Sequence, residues 1–286
     1  MCHSGGGPGQ AARIVLRGNT SFLGNNEPLF VIDGIPVDNQ TLTVGGGSAR
    51  NVSNRLADLN PDDIESMTIL KSGAATALYG SRGANGVIVI TTKSGKKGIS
   101  KINFSTSYGV EEVNKFPETQ KTYTQGFAGN YDPNSFWPSW GPTVDEARQI
   151  DPDHPAEIFN NFENAYQQGQ IFNTNLNFSG GNDRATFYTS MGYQNHEGTI
   201  PFSDFERFSV LFKGNLKVTD WFNVGASVNY INSGGNRVHA DRFNERLVYW
   251  APQADVTDFR QENGTMNGYR FDGTVGNNPI YGTSTN

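Results

Sequence analysis

The sequence predicts a mainly β protein: a small α/β domain, then the start of an antiparallel transmembrane β-barrel of about five strands. Three observations carry that prediction. After residue 98 the apolar side chains fall on alternate positions in stretches of about ten residues, the length that crosses a bilayer when tilted about 45°. Short connections alternate with long ones, so one end of the sheet carries tight turns and the other long loops. Before residue 98 the pattern is different, with short strand and helix signals in succession. The glycine-lysine segment Lys93–Gly98 separates the two patterns, which divides the chain into residues 1–98 and 99–286.

In the first part, Arg13–Arg17 and Leu29–Ile32 are short apolar runs bounded by turn residues. Asp33-Gly34 is a strong turn signal between Phe30-Val31-Ile32 and Ile35-Pro36-Val37. Asn60 suits the cap of a helical turn, and Pro61 sits where a missing N–H costs nothing. Asp62 and Asp63 would then lie in the first turn, where negative charge favours the helix dipole. Met67–Leu70 reads as a strand. Ser72 is placed to cap a short helix over Ala74–Tyr79, with Gly80 to end it. Val87–Thr92 is a β-branched run suited to a buried strand.

In the second part, Ile102, Phe104 and Tyr108 alternate with Asn103, Ser105 and Ser107. Phe172, Leu176 and Phe178 alternate with Asn173, Asn175 and Asn177. Ala185, Phe187, Met191 and Tyr193 oppose Thr186, Tyr188 and Ser190. Phe208, Val210, Phe212, Leu216 and Val218 oppose Ser209, Lys213, Asn215 and Lys217. Phe222, Val224, Ala226, Val228 and Tyr230 oppose Asn223, Ser227 and Asn229. Gly180–Arg184 and Thr219-Asp220 are short links; Val110–Ile171, Gln194–Glu206 and the segment after Asn232 are long ones. Aromatics near strand ends (Tyr108, Tyr193, Trp221, Phe222, Tyr230) fit interfacial girdles, and the Asn, Ser and Thr alternates suit a wet lumen. A soluble β-sandwich or solenoid also alternates, and the loop asymmetry is what favours a barrel over it.

Composition narrows the classes. A formal net charge of −6 and pI ≈ 5.2 argue against a nucleic-acid partner, which selects a basic patch. With 12% aromatic residues the chain is unlike a disordered one. Cys2 is the one cysteine, so no intramolecular disulfide and no multi-cysteine zinc site can form. Met1–Pro8 has neither the basic start nor the apolar run of a signal peptide, and no stretch approaches the roughly 20 apolar residues of a membrane helix. The expectation is a fragment that lacks its true N-terminus.

Three ordered blocks then carry a family resemblance. They are Arg17–Ser21 with Asn26–Val37, Leu59–Lys71, and Ser72–Gly86 continuing into Val87–Thr92. Together they resemble the plug of the SusC/RagA family of TonB-linked outer-membrane proteins. That resemblance implies an N-terminally incomplete plug over 1–98 and the beginning of a barrel, with long extracellular loops and a truncated C-terminal end, over 99–286. It also implies the cell outer membrane, a surface lipoprotein of the SusD type, the TonB complex, and import of oligosaccharides or peptides. Transporters with about 22 strands and a plugged lumen form the size class. No recognisable TonB-contacting segment and no later strands are present, so this length of chain is not expected to transport alone, since open sheet edges are not permitted in hydrocarbon.

Other chemistry finds little support. Gly80–Gly86 has the wrong spacing and element order for a dinucleotide loop and reads as a tight loop needing glycine dihedrals. Asp151-Pro152-Asp153-His154 matches no calcium loop, and His3, His196 and His239 are scattered, so no metal or other cofactor is expected. No nucleophile elbow or triad appears, and Asp62-Asp63 and Glu111-Glu112 suit structure better than glycoside hydrolysis, so no enzyme is expected. Sugar or partner contact is the plausible site chemistry. Its candidates are Trp137, Trp140, Tyr249 and Trp250, whose faces can stack on sugar rings, with Asn25 and Asn26 of the loop Thr20–Glu27 at the lumen floor. The same aromatics equally suit loop packing. The rival classes are a soluble carbohydrate-binding or adhesion module and, among transporters, a siderophore receptor.

Overall fold

The α/β domain is built on four strands: β1 (Leu29–Ile32), β2 (Ile35–Val37), β3 (Ile64–Leu70) and β4 (Val87–Thr92). The computed structural model describes residues 2–3, 7–9, 12–16, 26–37, 39, 43–44, 50–51, 58–98, 100–132, 139–262, 264, 270–271, 274–275 and 278–284. The sheet order is β2-β1-β4-β3, with β1 parallel to β4 and the other two pairings antiparallel. Parallel neighbours need cover on both faces, which is why β1 and β4 are continuous apolar runs. Phe30, Ile88 and Ile90 pack with Leu59 on one face, while Val31 and Val87 pack with Ala75 on the other. Ala75 belongs to helix α1 (Ser72–Tyr79), which ends at Gly80 with φ 64°.

Two local expectations change. Ser72 is the first residue of α1 and not its cap; Lys71 occupies that position, and no side chain bonds the free amides. Asn60 does cap, accepting from the Asp62 amide at 3.1 Å, but the turn it caps is a single 3-10 turn, Pro61–Asp63. So short a turn has almost no macrodipole to favour Asp63, whose buried carboxylate is held by another partner described below. Because the turn is brief, β3 begins at Ile64, three residues before the predicted strand.

Five longer strands form a second sheet: β5 (Lys101–Glu111), β6 (Gly169–Gly181), β7 (Ala185–Glu197), β8 (Asp204–Lys217) and β9 (Asn223–Gly234). They lie in the order β9-β8-β7-β6-β5, each beside its neighbour in sequence. β8 and β9 pair antiparallel, with Phe212 opposite Val228 and Val210 opposite Tyr230. The strands run from 11 to 14 residues, longer than expected. The predicted long loop Gln194–Glu206 shrinks accordingly, because β7 continues through Gln194-Asn195-His196-Glu197, where both faces are polar and alternation gives no signal.

Burial on this wall is inverted relative to a soluble sheet. The apolar alternates are the exposed ones: Phe104 at 66%, Met191 at 52% and Val228 at 62%. On the three central strands β6, β7 and β8 polar alternates are buried: Asn175 at 2%, Ser190 and Ser209 at 3% each. No helix among the described residues is long and apolar enough to cross a membrane, whereas these strands have the length and the outward apolar face of barrel strands.

The chain forms two compact units. The first is Met1–Gly109 with Ile171–His196 and Asp204–Gly235, so the α/β domain and the wall belong together. The second is Val110–Gln170 with Glu197–Ser203 and Asn236–Asn286, the long connections. Those connections have a core of their own, where Ala165, Ile200, Val238, Phe243, Leu247, Val256 and Ile280 meet. Helix α2 (Val144–Ile150) lies in the same connections, and α3 (Ala240–Val248) gives this core Phe243 and Leu247. A capping box starts α2: the Thr143 amide and then its hydroxyl donate to Glu146, holding that carboxyl below its ordinary value.

The outward face yields a test. Phe212→Arg places a charge in the exposed apolar face, at a cost of about 2–4 kcal/mol near the bilayer midplane. Reversible unfolding from lipid vesicles should show that loss; an unchanged free energy would mean that this face does not meet hydrocarbon.

Candidate functional site

The site grows from the Asp33-Gly34 turn. Both residues have positive φ, 50° and 84°, the geometry that lets a two-residue loop match the twist of its strands. Aspartate tolerates this region better than most residues, and the turn leaves its carboxylate at the end of β4. There Asp33 accepts from the Thr92 amide at 2.9 Å and the Thr92 hydroxyl at 2.7 Å. Lys213, on the inner face of β8, completes the set with its ammonium 2.8 Å from Asp33 Oδ2. Lys213 Nζ also donates to the Thr92 carbonyl at 3.4 Å. Burial by itself would raise the Asp33 carboxyl, but the hydrogen bonds from Lys213 and Thr92 and the lysine charge hold it below its ordinary value of 3.8.

A second set of contacts surrounds the turn at residues 58–63. The Arg207 guanidinium, from β8, donates to the Leu59 carbonyl at 3.0 Å. Ser233 of β9 donates to Asp58 at 2.6 Å, and the buried Tyr188 hydroxyl of β7 donates to Asp63 at 2.9 Å. Asp58, Asp62 and Asp63 all place negative charge near Arg207. Within the domain, Lys93 ties its amide to the Asp63 carbonyl and its ammonium to the Asp62 carbonyl. The α/β domain is therefore pinned to three consecutive strands by charged and polar side chains.

Beside that turn lies a cavity of about 240 Å³, lined by Asn60, Pro61, Asp62, Ser107, Asn173, Thr174, Gly192, Tyr193, Gln194 and Arg207. Asn173 donates to Ser107 at 3.4 Å, and Asn103 to Asn177 at 2.8 Å, so the inner faces of β5 and β6 meet through amides and hydroxyls. Amide and hydroxyl groups in this lining are of the kind that hydrogen-bond oxygen-bearing ligands. Among the described residues no group of three or more His, Cys, Asp or Glu could hold a metal ion.

Of the six residues expected from the sequence, none of the four that are described (Asn26, Trp140, Tyr249, Trp250) is among those lining this cavity. Asn25 and Trp137 lie outside the described residues. Asn26 is buried. Trp140 is exposed, with its ring 6.1 Å from that of Tyr123. Trp250 packs against the core of the long connections and donates its indole N–H to the Ala254 carbonyl at 2.8 Å, while Tyr249 caps the C-terminal end of α3. The residues that sequence reasoning missed (Asp33, Tyr188, Arg207, Lys213) had one visible signal. Tyr188 and Lys213 stand on the polar face of strands whose other face is apolar, where a large or charged side chain needs a partner inside.

Residues 2–87 match the family described as TonB-dependent Receptor Plug Domain. TonB-dependent receptor SusC of Bacteroides thetaiotaomicron is 34% identical over 234 residues, 77% of this chain and 20% of that protein. TonB-dependent receptor P3 of Formosa agariphila is 34% identical over 231 residues, 79% of this chain and 19% of that protein. The chain thus spans about a fifth of the length of these relatives. Among solved structures, the RagAB peptide transporter superposes with a TM-score of 0.59 at 21% identity, over 97% of this chain and 31% of that one, a likeness of fold.

Replacing Lys213 with Met should leave the Asp33 carboxylate short of its strongest partner, a loss of about 1–3 kcal/mol for a bond to a charged group. Hydrogen exchange at the Thr92 amide should quicken accordingly. Because Asp33 titrates lower in the folded state, its contribution is complete above pH 3.8 and fades as pH falls through the lower folded value. Asp33→Asn should flatten that acid dependence; the same acid sensitivity in the variant would assign it to other groups.

Proposed function

The chain belongs to the SusC/RagA-type TonB-dependent receptors of the outer membrane, and from that premise we propose that it serves nutrient import. The cargo is an oligosaccharide or a peptide, taken up through a barrel whose lumen the α/β domain closes. The energy comes through the TonB complex, and a SusD-like surface lipoprotein is the partner. This role requires no catalysis by the chain. The observation that carries the proposal is the inverted wall. Its outward face is apolar and exposed, and its inward face is polar and bonded to a folded domain.

Several features support a closure that can be undone. Direct ties between domain and wall include the ion pairs Lys213–Asp33 and Lys97–Asp183 and hydrogen bonds from Tyr188, Arg207 and Ser233. Each such bond contributes on the order of 1 kcal/mol net, rising to about 3 where a charge is involved. An apolar seam of the same extent would hold by area and would not open in steps. A soluble carbohydrate-binding module, the other class considered, would have to leave Phe104, Phe187, Met191, Phe212 and Val228 in water.

Deleting the gene should abolish growth on one class of nutrient, tested with defined oligosaccharides and with peptides as the limiting supply. Inactivating TonB should give the same loss, and affinity purification of the gene product should bring down a surface lipoprotein. Growth that survives on both classes after deletion would defeat the proposal.

A further inference from the structure

We propose that Ser94 is the hinge of the α/β domain: during import the domain swings as far as Lys93, while the connection from Gly95 onward stays seated on the wall. This rests on the import reading and says where the movement it requires takes place.

The connection passes from the domain to the wall within three residues. Lys93 is held by the domain: its amide donates to the Asp63 carbonyl at 2.8 Å and its ammonium to the Asp62 carbonyl at 2.6 Å. Gly95 is held against the wall. A side-chain carbon there would lie 2.4 Å from the Phe187 carbonyl oxygen, 2.5 Å from its amide nitrogen and 2.7 Å from its carbonyl carbon. These are backbone atoms of β7, which is paired with β6 on one side and β8 on the other and has no room to give way. The chain lies this close to the strand because residue 95 has no side chain. Farther on, the Gly98 amide donates to the Gly181 carbonyl at 3.0 Å, and Lys97 pairs with Asp183 in the turn between β6 and β7. Ser94 stands between the two attachments, and among the described residues no hydrogen bond ties it to either.

The two attachments come undone differently. Freeing the domain means breaking side-chain contacts one at a time: Lys213 with Asp33 and the Thr92 carbonyl, Tyr188 with Asp63, and Arg207 with the Leu59 carbonyl. The contact at Thr92 lies two residues before Ser94, so its release frees the chain up to the hinge. Lys96 reaches back across the hinge to Glu65 at 3.0 Å, and Lys97 pairs with Asp183, but both ion pairs are exposed and hold little. What keeps the far side in place is covalent. β5 begins at Lys101, so even a fully stretched chain lets Gly98 travel only about 10 Å from that strand. The strand itself cannot peel away, because hydrocarbon offers its amides no other partner. Hinges are a few residues at element ends that absorb a change of φ and ψ, and Ser94 follows the end of β4 by two positions.

The experiment uses the complete gene product, freed of its native cysteines, in its own cells. The probes are a fluorescein-labelled mixture of linear oligosaccharides and a fluorescein-labelled mixture of peptides. A short bismaleimide joining Lys97→Cys to Asp183→Cys fixes the connection to the wall; the same reagent joining Asp33→Cys to Lys213→Cys fixes the domain. TonB-dependent uptake should survive the first cross-link and be lost with the second, each compared with the same variant left unlinked. Ser94→Pro locks φ and restricts the residue before it, and should slow uptake about tenfold or more at an unchanged melting temperature. Ser94→Ala should import like wild type. Uptake lost with the Lys97–Asp183 cross-link would mean that the connection leaves the wall. Uptake that survives the Asp33–Lys213 cross-link, or that is normal in Ser94→Pro, would mean that the domain does not turn at this residue. Any of these overturns the hinge and leaves import standing. Wild-type cells that take up neither probe, or take one up without TonB, would sink the import reading and the hinge with it.

Discussion

The wall of five strands has an exposed apolar face and, along its three central strands, a buried polar one, and this inversion governs the rest of the molecule. A sheet facing hydrocarbon gains nothing from an apolar interior and must instead partner its inward amides, hydroxyls and charges. The α/β domain supplies those partners. Asp33 receives Lys213, Asp63 receives Tyr188, and the Leu59 carbonyl receives Arg207. Each contact joins residues more than a hundred positions apart, so the domain's place is set by side chains and not by the Lys93–Gly98 connection alone.

Much of this was legible in the sequence, for a reason that can be stated residue by residue. Alternation at Phe208, Val210 and Phe212 against Ser209 and Lys213 fixed both faces of β8, since a strand has only two. Asp33-Gly34 announced its turn through the one backbone geometry such a pair favours. The blocks around Asn60 and Ser72–Gly86 placed the α/β domain by resemblance. What stayed hidden was pairing across the two parts: nothing local to Tyr188 or Lys213 says which carboxylate it meets. The helices of the long connections were not legible, although Thr143 and Glu146 stand at capping-box spacing, because helices this short give too few apolar repeats to set a helical period. Trp250 shows the converse limit. An aromatic in a polar loop looks like a ligand face until its indole N–H is found bonded within its own loop.

The contacts between domain and wall differ in kind along the inner face. Around Asp33, and at Asp63 and Leu59, donors and acceptors meet directly. Around Gly192 they do not meet, although Asn60, Asn175 and Ser209 approach the same spot. Direct pairing fixes position, whereas the unpaired groups pack closely onto the bare backbone of Gly192. Both kinds involve the turn at residues 58–63 and the inner faces of β7 and β8.

Position 33 combines two demands that few residues meet together. It must accept a left-handed backbone, with φ at 50°, and present a carboxylate to Thr92 and Lys213. Glycine or asparagine would keep the turn and lose the charge. Glutamate would keep the charge and fit the turn poorly, with its carboxylate one carbon farther out. The alphabet at this site is thus reduced almost to a single letter, so drift in the protein's lineage should bend around Asp33 and its lysine while the exposed apolar face changes freely among similar side chains.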